Sequence, residues 1–136
     1  MFQACPMRAG FFLAIRKVGV YYEFMPLLSL VVPCYNEQEV LHLFMEELAR
    51  VAATLGDVQT EVIMVNDGSS DNTLAVIREL AGRYDCVRYI SFSRNFGKES
   101  AMYAGLEAAE GDYVAIMDAD FQDPPALLPE MYRLIT

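Results

Sequence analysis

The chain contains no tryptophan, a single histidine (His42) and three cysteines in 136 residues, and each scarcity narrows what it can do. Cys5, Cys34 and Cys86 are odd in number and show neither C-x-x-C nor C-x-x-x-H spacing. A zinc site or a disulfide framework is therefore not expected, and reduced thiols in a cytoplasmic setting are. His42 falls inside an amphipathic helical pattern and reads as a helix-surface residue rather than a ligand. No apolar run approaches the ~18 residues of a membrane span, the nearest being Gly10 to Ile15 and Leu27 to Pro33. Arg16 and Lys17 follow the first of these where a signal peptide would place its small-residue cleavage site, so neither run reads as a targeting segment. Basic residues are also few, 10 against 19 acids for a net charge of −9. Arg8, Arg16 and Lys17 against Glu23 leave +2 on residues 1–24, and hence −11 on residues 25–136. An acidic body of this kind repels nucleic-acid backbones, and a phosphate ligand would need a bridging cation.

What is present is a chain of one domain's length, 54% hydrophobic and 21% charged, which specifies a globular core. From residue 27 strand and helix patterns alternate. Leu27 to Val32 is a continuous apolar run ended by Pro33, as in a strand buried on both faces. Glu37 to Leu55 places Leu41, Phe44, Leu48, Val51 and Leu55 on one helical face, with Asn36 and Glu39 as a capping pair at its start. Further strands are expected over Glu61 to Val65, Val87 to Phe92 and Tyr113 to Met117. Helices are expected over Asp71 to Arg83, over Lys98 to Ala109, and from Pro124 or Pro125. The third helix carries Ala101, Ala104, Gly105 and Ala108, small enough for close approach to a sheet. This alternation predicts a parallel α/β sheet with right-handed crossovers, whose ligands bind beyond the carboxyl ends of the strands. Residues 1–24 do not fit the pattern and stand as an N-terminal extension of unknown role, either a segment outside the fold or a helix on the sheet edge; Met25 offers an alternative start.

Three strand ends carry chemistry. After the first come Pro33, Cys34, Tyr35, Asn36 and Glu37, with none of the glycines of a dinucleotide fingerprint or a P-loop. Gly97-Lys98-Glu99-Ser100 contains the GK pair without the loop glycine or the following hydroxyl and is not a Walker motif. Tyr35 and Glu37 suit a flat base, by apolar contact and hydrogen bonding respectively, although an acid at a helix start is favoured by the dipole alone. After the second strand, Asp67 can accept from a base imide or a ribose hydroxyl, Gly68 permits positive φ, and Asp71 reads as a cap. After the fourth, Asp118, Asp120 and Gln122 alternate and so can converge on one side of an extended segment. Such hard oxygen donors suit Mg²⁺ or Mn²⁺ completed by water and substrate phosphates, and a metal there could clamp a diphosphate leaving group. The same residues also suit a solvated acidic loop that caps the helix begun by Pro124 or Pro125.

Val32-Pro33-Cys34-Tyr35-Asn36-Glu37, Val65-Asn66-Asp67-Gly68-Ser69-Ser70-Asp71 and Met117-Asp118-Ala119-Asp120 together resemble the family 2 glycosyltransferases of GT-A fold. Ser93 to Glu99 and Gln122-Asp123-Pro124-Pro125 are similar, more narrowly, to the polyprenyl-phosphate branch of dolichol-phosphate mannose synthases and bactoprenol glucosyltransferases. The resemblance covers residues 27 to about 134. It implies a Rossmann-like parallel sheet forming the N-terminal half of a GT-A domain over residues 25–136. It implies a nucleotide-sugar donor, UDP-glucose or GDP-mannose, and hexose transfer with inversion to a polyprenyl phosphate. By the same resemblance Pro33, Tyr35, Glu37 and Asp67 would line base and ribose, Asp118 would lie near ribose and diphosphate, and Asp120 and Gln122 would ligate Mg²⁺ or Mn²⁺. Lys98 would neutralise diphosphate charge, or stand as a surface lysine. The full-length family works at the cytoplasmic face of the membrane. Its members continue beyond the acidic motif where this sequence stops at Thr136, so a fragment without an acceptor site, inactive by itself and prone to self-association as a homo-oligomer, is the expectation. Two other classes compete: a sugar nucleotidyltransferase, which would want a glycine-rich loop after the first strand, and a non-catalytic nucleotide-binding module.

Overall fold

A computed structural model describes residues 25–136. Four strands, β1 (Leu27–Cys34), β2 (Gln59–Asn66), β3 (Val87–Ser91) and β4 (Tyr113–Ile116), alternate with helices α1 (Leu41–Ala52), α2 (Thr73–Arg83) and α3 (Lys98–Ala108). A short 3₁₀ turn, Pro125–Leu127, leads into α4 (Leu128–Ile135). The sheet order is β3-β2-β1-β4 with every pair parallel, so the expected parallel α/β architecture is present. The chain winds outward from β1 to β3, then returns to lay β4 on the other side of β1. That reversal opens a crevice between the carboxyl ends of β1 and β4, the place where open α/β sheets bind ligands.

The two sheet faces are covered differently, and the period-two alternation decides which residues meet which helix. Leu28, Leu30, Val32, Val62 and Met64 face the α1, α2 and α4 side, where Leu41, Phe44, Met45, Leu48, Ile77, Leu80 and Leu128 close a buried cluster. Ile63 and Val65 face α3 and meet Ala101, Ala104 and Ala108. The small residues of α3 do let it sit close. A Cβ added to Gly105 would fall 2.2 Å from Val31 Cγ1, so only glycine permits this approach.

Boundaries depart from the sequence reading in informative ways. β1 runs through Pro33 to Cys34 rather than stopping at Val32. Odd-numbered β1 residues bond toward β4, and that ladder has ended once Met117 N donates to Val31 O. The N–H that Pro33 lacks would therefore point into the crevice, and nothing is lost. α1 begins at Leu41, not Glu37, and has no side-chain cap. Asn36 is in the left-handed region, φ 53°, and its Oδ1 accepts from Ser70 N and Oγ, so the expected Asn36–Glu39 capping pair does not form. Asp71 accepts from Thr73 N at 2.9 Å and from Thr73 Oγ1 in the turn ahead of α2, while the N-cap position itself, Asn72, makes no side-chain cap bond. His42 is on the surface of α1, its Nε2 3.5 Å from Glu79.

Cys34 is a free, buried thiol, and burial pushes its pKa far upward. Cys5 lies outside the described residues. The extension 1–24 also lies outside them. Among the described residues no helix is long and apolar enough to cross a membrane.

At the amino ends of the strands Glu61, only 4% exposed, gathers a polar network. It accepts from Ser29 Oγ, from Glu110 N at 2.8 Å and from Arg88 Nη2 at 2.7 Å. The same Arg88 nitrogen donates to Ala108 O at 2.9 Å, so the network pins the end of α3 to the sheet. Burial is the largest influence on Glu61 and pushes its pKa up; the bonds from Ser29, Glu110 N and Arg88 together outweigh it and hold the group below its ordinary 4.5. A carboxylate depressed in the folded state contributes stability that is complete above its unfolded pKa and is lost as pH falls through the folded one. Thermal unfolding across pH 3–7 is expected to show that acid loss, and Glu61→Gln to flatten it while lowering neutral stability by roughly 2 kcal/mol. A variant with the wild-type acid profile would exclude Glu61 as its source.

Among the described residues β4 is paired along one edge only. Beside it runs an apolar groove of about 320 Å³ lined by Leu28, Leu106, Val114, Met131, Tyr132 and Ile135.

Candidate functional site

The crevice predicted by topology is an open cleft of about 380 Å³. Pro33, Tyr35 and Glu37 enter it from the end of β1, Asp67 from β2, Lys98 from the start of α3, and Asp118 and Asp120 from the end of β4. Seven of the eight residues singled out from sequence thus share one cavity. Tyr35 is 48% exposed, a flat apolar surface offered to the cleft. The β1 loop is tied to the β2 loop by Asn36 N donating to Ser69 Oγ at 3.0 Å and Glu37 N to Thr73 Oγ1 at 2.9 Å.

Asp67 is only 3% exposed. Its Oδ1 accepts from Phe96 N at 2.7 Å, and its Oδ2 and carbonyl oxygen accept from Asn95 Nδ2 at 3.2 Å. The carboxylate therefore braces the 93–97 loop as well as lining the cleft, a role the sequence reading missed. Gly68 makes the brace feasible. It has φ 63°, and a Cβ there would lie 2.1 Å from the Arg94 carbonyl carbon. Asn95, Gly97, Cys34 and Ala119 also line the cleft without having been singled out; for Asn95 the signal was its place in the Ser93 to Glu99 segment.

The acidic side is built by burial alternating with exposure. Met117 and Ala119 are buried at 3% and 1%, which turns Asp118 and Asp120 toward the cleft. The alternation then stops: Phe121 takes φ 62° and sets its ring edge-on to Phe44, centroids 6.0 Å apart. Gln122 is consequently exposed and does not line the cleft; its backbone N–H donates to Asp120 Oδ1 at 3.1 Å. The structure thus gathers Asp118 and Asp120 and leaves Gln122 outside. Lys98 Nζ lies 2.7 Å from Asp118 Oδ2.

Carboxylates crowd this side. The Glu37 pKa is raised by desolvation first, then by Asp120, Asp118 and Asp71, with Lys98 opposing. Four carboxylates, Glu37, Asp67, Asp118 and Asp120, line the cleft against one lysine, so a diphosphate entering alone would meet net negative charge. Among the described residues no three His, Cys, Asp or Glu side chains already form a metal-binding group. Two hard carboxylates beside an open cleft nevertheless fit Mg²⁺ or Mn²⁺, which takes few protein ligands and completes its shell with water and phosphate.

Residues 29–136 match the family described as Glycosyl transferase family 2. The bactoprenol glucosyl transferase of Shigella phage SfV is 42% identical over 104 residues, 76% of this chain and 34% of that protein. The prophage bactoprenol glucosyl transferase homolog of Escherichia coli (strain K12) is 41% identical over the same length, again covering 34% of the relative. Among solved structures, a mannosyltransferase, PcManGT from Pyrobaculum calidifontis in complex with GDP-Man and Mn²⁺, superposes with a TM-score of 0.71 at 22% identity, over 84% of this chain and 33% of that one. TarS 1-349 of S. aureus gives 0.60 at 25% identity, over 79% and 32%. These likenesses bear out the GT-A fold, and the chain spans about a third of the length of the curated relatives it matches. The ordered strand-end motifs, the switch-point cleft they form and the match over residues 29–136 place the chain in glycosyl transferase family 2.

Proposed function

We propose that residues 25–136 are the donor-binding half of a metal-dependent, inverting glycosyltransferase that moves a hexose from UDP-glucose or GDP-mannose to a polyprenyl phosphate at the cytoplasmic face of a membrane. The observation that carries this reading is the convergence of Tyr35, Glu37 and Asp67 on one side of the cleft and of Asp118 and Asp120 on the other. Identity above 40% to proteins named bactoprenol glucosyl transferases supports the acceptor class. Pro33 and Tyr35 offer apolar surface to the base, while Glu37 and Asp67 accept from base and ribose donors. Asp118 lies toward ribose and diphosphate. Asp120, with Asp118 beside it, would hold the cation, and Lys98 would face diphosphate charge; Gln122 lies outside the cleft and would join the ligands only if the turn after Asp120 opened. A divalent cation bound there neutralises the diphosphate and stabilises it as a leaving group. The acceptor phosphate has its second pKa at about 6 and is an anionic nucleophile near neutral pH. Little general-base help is then required, in keeping with a cleft that, among the described residues, is lined by carboxylates and no histidine. Self-association through the β4 edge that no described strand covers belongs to the same reading, since an unguarded strand edge invites pairing.

The transfer is tested by supplying labelled UDP-glucose or GDP-mannose and polyprenyl phosphate to a protein of the relatives' length that carries this chain. Label in the lipid fraction with release of UDP or GDP is expected. Release of pyrophosphate instead would make the protein a sugar nucleotidyltransferase, and donor binding without turnover a non-catalytic module.

A further inference from the structure

One ion pair spans the cleft, and it involves both partners a nucleotide–cation pair would need. Lys98 Nζ sits 2.7 Å from Asp118 Oδ2, joining the first turn of α3 to the end of β4 across the cavity. Among the described residues Lys98 is the one cationic side chain lining it, against Glu37, Asp67, Asp118 and Asp120. Asp67 is already committed to Phe96 N and Asn95, so the charge of Lys98 answers chiefly to the β4 side. The lysine is well placed to move: its side chain is 58% exposed, while that of Asp118 is 26% exposed.

A divalent cation attracted by Asp118 and Asp120 would stand within about 4 Å of the ammonium in its present position, and like charges that close repel strongly. Cation entry therefore requires Lys98 to leave Asp118. An ammonium left without its carboxylate in the same cleft gains most from an anionic ligand. Resting on the reading of this cleft as a nucleotide-diphosphate site, we propose that Lys98 is an exchange residue. It neutralises Asp118 until a cation arrives, is displaced by that cation, and then pairs with the diphosphate, so that cation and nucleotide bind cooperatively and neither binds tightly alone. Because coupling between two ligands is reciprocal, it can be read from either one.

The test measures Mn²⁺ binding by electron paramagnetic resonance, with and without saturating UDP and, separately, GDP. The proteins are the wild-type chain, Lys98→Met, Lys98→Arg, and Arg94→Met as a control for removing a nearby positive charge outside the pair. Wild type is expected to bind Mn²⁺ about tenfold more tightly when nucleotide is present, a size usual for coupled sites. Lys98→Met is expected to bind Mn²⁺ alone more tightly than wild type and to lose most of that nucleotide-dependent gain. Lys98→Arg and Arg94→Met should keep the gain. If Lys98→Met retains the full gain, or if Arg94→Met loses it equally, the exchange role is wrong while the nucleotide site stands. If wild type binds neither nucleotide with Mn²⁺, both the exchange role and the reading of the cleft fall together.

Discussion

Asp120→Ala is expected to lower Mn²⁺-dependent affinity for UDP or GDP by roughly 100-fold, about 2.7 kcal/mol, with little effect on thermal stability. The size follows from position. Asp120 is exposed at the cleft while its neighbour Ala119 is buried, so the side chain contributes charge to the cavity and nothing to the core. A hard divalent cation held by only two carboxylates loses half of its charged protein ligands with this change. Gln122→Ala is expected to cost less, because Gln122 lies outside the cleft and reaches Asp120 only through its backbone N–H. Calorimetric titration with and without Mn²⁺ separates the outcomes. Undiminished metal-dependent binding by Asp120→Ala would reduce the acidic segment to a helix cap.

Gly68→Ala should be the most damaging single-methyl change in the site, for a reason that has nothing to do with ligand contact. Two penalties coincide. An L-residue at φ 63° carries a left-handed backbone cost of about 1–2 kcal/mol. Its Cβ would overlap the Arg94 carbonyl carbon at 2.1 Å and Asn95 N at 2.2 Å, and forcing extra atoms into a packed position costs a further ~1–3 kcal/mol. The obstacle is backbone, so no rotamer change relieves it. A loss of roughly 3 kcal/mol is expected in denaturant unfolding, and with it the brace from Asp67 to the 93–97 loop. Nucleotide affinity should fall even at temperatures where the variant stays folded. A Gly68→Ala protein with wild-type stability and affinity would mean that the loop does not need this close approach.

The fold was legible because its evidence is local and repeated: apolar runs of strand length, helical faces such as Leu41, Phe44 and Leu48, and small residues along α3. The site was legible as a set of strand ends, which topology then brought together. What sequence could not convey was the conformation of single residues between those ends. Asn36 carries the composition of a cap, yet its positive φ aims it at Ser70 instead. Asp118, Asp120 and Gln122 alternate as an extended strand would, and the turn at Phe121, driven by its ring's place against Phe44, removes the third from the row. Asp67 reads equally well as ligand or brace until the loop it holds is seen. In each case the deciding interaction is a tertiary contact dozens of residues away in sequence.

The two sides of the cleft rest on strands of unequal security. Tyr35, Glu37 and Asp67 extend from β1 and β2, which pair with each other over eight positions and are each flanked on both sides. Asp118 and Asp120 extend from β4, joined to the sheet by four register positions and, among the described residues, along one side only. Local opening is least costly where backbone bonds are few and one edge is bare, so amide exchange with solvent should be slowest under the tyrosine side and fastest under the acidic side. A ligand spanning the cleft would then meet a wall already rigid for its base and a wall still loose for its cation. The entropy lost on binding would be concentrated in the segment from Met117 to Gln122, and slowed exchange there, with β1 and β2 unchanged, would be the signature that the acidic wall had been engaged.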